Sequence, residues 1–218
     1  MRTFKEYRAI ARESLKGRWG ESILVSLIYS GLISAVSWIP VAGLIAILIC
    51  QGPLMFGVIK YYVAQHQKQE PLIETTFDGF QKDFKGHMIT YLWVNLYIFL
   101  WTLLFIIPGL IKSYSYTMAM YLRVKNPELK GKEPMELSKQ LMNGKKAKLF
   151  WLQLSFFGWA LLAILTFGIG FIFLTPYMEA TITAFYEDIY NEYLITSGQA
   201  NIQSSDTQEY ETIEEIEL

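Results

Sequence analysis

Apolar residues in this chain come in blocks of 16 to 23, separated by polar and charged segments, rather than at the spacing of a soluble core. A helix needs about 20 predominantly apolar residues to cross the hydrocarbon of a bilayer. The blocks predict six spans, at residues 22–39, 41–63, 87–107, 109–124, 149–167 and 169–190. Within each pair the spans are separated by almost nothing: Pro40, Pro108-Gly109, and Gly168-Ile169-Gly170. Proline removes a backbone donor and glycine relaxes the φ restriction, so these positions predict sharp reversals. The expected fold is all-α: a polytopic membrane domain over residues 1–190, made of six transmembrane helices in three hairpins.

A polar segment ending in glycine leads into each hairpin: Lys16-Gly17, Lys85-Gly86 and Asn143-Gly144. The Pro/Gly reversal then follows after 23, 22 and 24 residues (17 to 40, 86 to 108, 144 to 168). Near-equal spacing suggests a tandem of three hairpin units, although bilayer thickness alone equalises helix lengths. The lead-ins read as amphipathic helices. Phe4, Tyr7, Ala11 and Leu15 form one apolar stripe beside Lys5, Arg12 and Lys16; Ile73, Phe77, Phe80 and Phe84 form another. Such helices either lie in the headgroup region or pack over the inner ends of the bundle.

Charge adds an orientation. Of the 19 Lys and Arg, six lie in the N-terminal segment, four at 60–85 and eight at 123–148, while Lys112 alone lies near a tight turn. Basic residues are retained on the cytoplasmic side, so the pattern predicts both termini inside a bacterial plasma membrane. Trp19, Trp93 and Trp151 fall where interface anchors belong. Arg2 to Arg18 before the first block, with Ala35-Val36-Ser37 inside it, has some signal-peptide character, but a retained first span is the expectation. Beyond Tyr190 there is no Lys or Arg, and seven acidic residues make 191–218 a candidate disordered cytoplasmic tail.

Little chemistry is visible. The chain has two histidines and one cysteine, Cys50, so neither a metal-ligand set nor an internal disulfide is expected. No nucleophile–histidine–acid set stands out, and Gly168-Ile169-Gly170 is no phosphate loop. No cofactor, metal, catalytic residue or nucleic-acid partner is expected. Glu187-Asp188 reads as a solvated pair. Polar residues concentrate in the second helix of each hairpin, whereas the first helices are interrupted mainly by Asn95 and Gln153. The second helices should therefore form the inner ring.

The candidate intramembrane polar site is Glu179 with Lys112. Glu179 lies about ten residues past the Gly168 turn, near 15 Å depth by the helical rise. An ionised acid there costs at least about 2.5 kcal/mol. It is either a hydrogen-bonded packing group or a ligand-binding or coupling carboxylate. Lys112, about 6 Å from its own turn by the same rise, reaches it only by extending its stem.

Gly52-Pro53-Leu54, Pro108-Gly109-Leu110-Ile111-Lys112-Ser113-Tyr114-Ser115-Tyr116, and Pro176-Tyr177 followed by Phe185-Tyr186 give the chain a resemblance over about residues 5 to 190. On these motifs it is similar to an uncharacterised family of bacterial integral membrane proteins, domain-of-unknown-function family nine-seven-five. That resemblance implies a multi-helix membrane fold and carries no activity with it. The leading functional expectation is a non-enzymatic accessory or scaffold protein that binds membrane lipids, other membrane proteins or itself. A small transporter or channel using the polar second helices is the alternative, and a lipid-modifying enzyme the third.

Overall fold

The computed structural model describes residues 2–39 and 42–197, and every regular element among them is helical. The order is α1 (Phe4–Leu15), α2 (Trp19–Ser37), α3 (Ala42–His66), a 3-10 turn (Ile73–Phe77), α4 (Asp78–Gln81), α5 (Phe84–Leu104), α6 (Ile106–Tyr116), α7 (Ala119–Lys125), α8 (Glu133–Leu141), α9 (Lys146–Leu154), α10 (Phe157–Leu165) and α11 (Gly170–Ser197). Three segments among the described residues are long and apolar enough to cross a membrane: Trp19–Ser37, Ala46–His66 and Lys146–Leu165, the last running through α9 and α10. Six spans, as expected from the blocks, are not supported among the described residues. The expected turn at Pro40 and the tail from 198 onward lie outside the described residues, while 191–197 continue α11.

The second and third hairpins depart most from expectation. The reversal expected at Pro108-Gly109 occurs at Phe105, whose backbone is extended (φ −157°, ψ 137°). Pro108 sits in the first turn of α6, where a missing N–H costs no helical bond. Gly109 lets α6 close against Thr102 of α5, which any Cβ would overlap. The expected helix 109–124 is broken at Thr117-Met118 into α6 and α7. Ser138 of α8 covers the break, accepting from the Met118 N–H (3.2 Å) and donating to the Ser115 carbonyl (2.9 Å). The expected helix 149–167 is likewise interrupted at Ser155-Phe156, and Arg8 donates to the freed Ser155 carbonyl (3.2 Å). The third reversal falls where expected, with Phe167 (φ 52°) and Gly168 (φ 88°) both left-handed.

The lead-ins form a closed ring. α1 packs on α11 of the last hairpin; the 3-10 turn and α4 pack on α3 of the first; α8 packs on α5, α6 and α7 of the second. Each junction to the following helix turns on one left-handed residue: Gly17 (φ 83°), Asp83 (φ 46°) and Gly144 (φ 74°). In α1 the stripe Tyr7, Ala11 and Leu15 is fully buried and Lys5, Arg12 and Lys16 are exposed, so this helix covers the end of the bundle away from the hairpin tips. The second stripe is not one helix. It is split between the 3-10 turn, α4 and the start of α5, and Phe77 and Phe80 remain exposed. What holds this segment is backbone approach: a Cβ at Gly57 would overlap the Thr76 carbonyl, and one at Gly79 the Pro53 carbonyl.

Polar groups staple the inner ends. Buried Arg123 of α7 binds Asp83 and the Leu129 carbonyl, with His87 Nδ1 at 3.3 Å. Burial alone would raise the Asp83 pKa, but the Arg123 hydrogen bond and charge outweigh it and hold Asp83 below the ordinary carboxylate value. That contribution to stability is present at neutral pH and is lost as pH falls through the lowered value. Glu187 and Asp188, expected to be solvated, point about 100° apart around α11 into different partners. Asp188 accepts from Tyr7 Oη (2.6 Å). Glu187 lies buried 2.7 Å from Lys125, without the alignment of a hydrogen bond.

Two stability outcomes follow from these contacts. Gly57→Ala should cost about 1–3 kcal/mol, the cost of overpacking, and lower the melting temperature of the detergent-purified chain. Gly158→Ala, where the added methyl meets open space, should not. Equal melting of the two variants would contradict the close approach at Thr76. Lys125→Met should destabilise by about 3–5 kcal/mol by stranding a buried carboxylate. Adding Glu187→Gln should recover most of that loss, and thermal unfolding of the single and double variants reads both effects.

Candidate functional site

A cavity of about 560 Å³ lies among α2, α3 and α11, reaching Thr117 at the α6–α7 break and Gln153 of α9. Glu179 is on its wall. α11 places it there because Thr175, Glu179, Ile182 and Tyr186 recur at steps of four, three and four along one helix face. Facing them from α2 are Ser26 and Ser30, and from α3 Met55, Val58 and Ile59. Among the described residues the Glu179 carboxylate accepts no hydrogen bond and forms no ion pair, and no Lys, Arg or His lines the cavity.

Lys112 is elsewhere. Its ammonium lies 4.6 Å from the centre of the Trp101 ring on α5, a cation–π contact within the second hairpin. The charges of Lys139 and Lys146 also act on it. The structure therefore does not bring the two candidate residues together: Glu179 faces the cavity, and Lys112 lies against Trp101 of α5.

Hydroxyl groups define the rest of the polar wall. Ser26, Ser30 and Thr175 each donate their proton to the carbonyl four residues earlier, at 3.0, 2.7 and 2.8 Å. The Thr117 and Tyr186 hydroxyls pair at 2.8 Å. A second cavity, of about 390 Å³, lies between α5 and α6 and shares Met55, Thr117 and Gln153 with the first. Gln153 accepts from Tyr114 Oη (2.8 Å), and Gln51 links Tyr29 (3.4 Å) to Tyr91 (2.7 Å).

Reading the first helices as nearly pure hydrocarbon missed the serine wall. The signal was available: Ser22, Ser26, Ser30 and Ser34 recur every four residues on α2. Arg123 was grouped with the solvated basic loop, yet it is fully buried. Nothing local to the sequence marks it, because Asp83 and His87 stand 40 and 36 residues away, at the start of the same hairpin.

No curated protein and no solved structure matches the chain. The family model described as Protein of unknown function (DUF975) matches residues 1–113 and 103–192. With matches along nearly all of the helical body, this chain belongs to that family.

Proposed function

We propose that this protein is a membrane-embedded, non-enzymatic binding protein whose ligand is an amphiphile from the bilayer. The observation that carries this reading is the cavity among α2, α3 and α11, whose volume of about 560 Å³ lies within the range of small-molecule sites, roughly 300–1,000 Å³. Apolar side chains make up one part of its wall, and one carboxylate with several hydroxyls makes up the other. A lipid-derived molecule matches both parts. Thr175→Trp fills the space from an exposed position on α11 and tests this directly. Lipid retained by the purified chain, measured by mass spectrometry, should fall several-fold with the fold intact. Retention equal to the parent chain overturns the assignment.

The setting proposed is a bacterial plasma membrane with both termini cytoplasmic. Besides the three long apolar segments, α5 has 21 residues with Lys85 as its one Lys, Arg, Asp or Glu. The first and third hairpins are read as crossing. The second is read as dipping into the bilayer and returning. α6 has 11 residues, about 16 Å of helix, against about 30 Å of hydrocarbon. Alongside it, α8 packs Met135 near Tyr116 while Glu133, Glu136 and Lys139 stay exposed. That charged face sets the water boundary well up the hairpin. With Cys50 replaced by serine, Trp38→Cys and Ile169→Cys should react with an impermeant thiol reagent on intact cells. Ile107→Cys should not. Labelling at Ile107 would restore six crossings.

A transport function is the second reading, favoured by the wall that the two cavities share. It predicts that Met55→Ala, which opens that wall, changes solute flux in proteoliposomes. An accessory role leaves flux at the level of empty vesicles.

A further inference from the structure

We infer that the amphiphile held in this cavity carries a hydrogen-donating cationic head, an ammonium group, and that Glu179 is its counter-ion. This rests on the amphiphile-binding reading above and names the ligand's chemistry. The first reason is charge. Glu179 is the one carboxylate on the cavity wall, no basic side chain lines it, and among the described residues the carboxylate has neither a hydrogen bond nor an ion pair. An anionic head would meet like charge with no cation to offset it.

The second reason is the direction of the hydroxyls. A serine or threonine oxygen has one proton to give and two lone pairs to accept with. Ser30 and Thr175 have given their protons to their own helices, while Ser26 is also paired with Tyr62 Oη at 3.1 Å. What remains is acceptor capacity, and Ser30 and Thr175 are solvent-accessible positions on facing helices. An ammonium has three donors and no acceptor, and so complements one carboxylate flanked by hydroxyl oxygens. A hydrogen bond of that kind, between charged partners, is among the stronger ones available to a protein.

The third reason is size. A bare metal ion would leave Leu27, Val58, Ile59, Phe171 and Ile182 facing empty space. An alkyl chain attached to the ammonium fills that part of the site. The same chemistry is offered by an amine-bearing lipid headgroup and by a small amphiphilic amine.

The experiment uses the full chain in non-ionic detergent and titrates decylamine, decanol and decanoate at neutral pH by calorimetry. Decylamine should bind at least tenfold more tightly than the other two, and Glu179→Gln, with an unchanged melting temperature, should abolish the difference. Thr175→Val should weaken decylamine several-fold and leave decanol unchanged. Lowering the pH should remove the preference as Glu179 takes up a proton, because the amine stays charged throughout. Equal affinity for amine and alcohol overturns the ammonium assignment but leaves the amphiphile reading standing. Binding of none of the three overturns the reading beneath it. A preference that survives in Glu179→Gln arises elsewhere on the chain and overturns the assignment. So does one that sodium chloride removes and choline chloride spares, since the carboxylate then belongs to an alkali ion. Vesicles of equal phosphatidylethanolamine and phosphatidylglycerol separate the two sources. Enrichment of the amine lipid on the protein assigns the head to the bilayer. Decylamine binding without enrichment assigns it to a small amphiphile.

Discussion

The hairpin tips have little to pack against, so their placement is decided at the opposite end. Leu103, Phe105, Ile107, Leu165, Phe167 and Ile169 are all largely exposed, whereas Tyr7, Tyr61, Tyr121, Phe185 and Tyr190 are buried around the inner ends. In the membrane setting proposed above, exposed apolar tips carry no hydrophobic penalty, and helix association falls to packing and hydrogen bonds. Here those forces are gathered where Arg123, Lys125, Lys60 and Tyr7 find Asp83, Glu187, Asp78 and Asp188. The cavity exists because α2, α3 and α11 are joined below it and pack loosely above.

This division explains the two kinds of glycine in the chain. Gly17 and Gly144 supply left-handed junctions between lead-in and hairpin. Gly57 and Gly79 do something different, allowing one stretch of backbone to lie directly on another. The same need accounts for Gly52-Pro53, since a Cβ at Gly52 would stand 2.7 Å from the His87 carbonyl. Motifs that read as turns or kinks in a linear sequence are here contact surfaces between hairpins.

Much of the architecture was legible because the apolar blocks are long and sharply bounded. The helical class, the α1 stripe and the place of the third reversal all follow from block length, period and glycine position. The breaks at Thr117-Met118 and Ser155-Phe156 were not legible, because the groups that satisfy them, Ser138 and Arg8, come from distant lead-ins. The shift of the second reversal from Pro108 to Phe105 has a local cause: proline suits the first turn of a helix better than the bend before it. At the candidate site, Glu179 was visible as an acid inside an apolar block. Its serine neighbours were visible only as a four-residue period, and the separation of Lys112 from it required the fold.

The ring of lead-ins imposes an order on synthesis. α1 leaves the ribosome before α11, yet most of the surface it covers belongs to that helix. Until α11 is made, Ala11 and Leu15 have only α2 and α3 to pack on, and Tyr7 lacks both Phe185 and Asp188; in the membrane setting proposed above, a basic amphipathic helix left partly uncovered adsorbs to the membrane surface. In that setting α1 would leave the headgroups only when the ring of lead-ins can close. A chain truncated before α11 would keep α1 there but have no closed body.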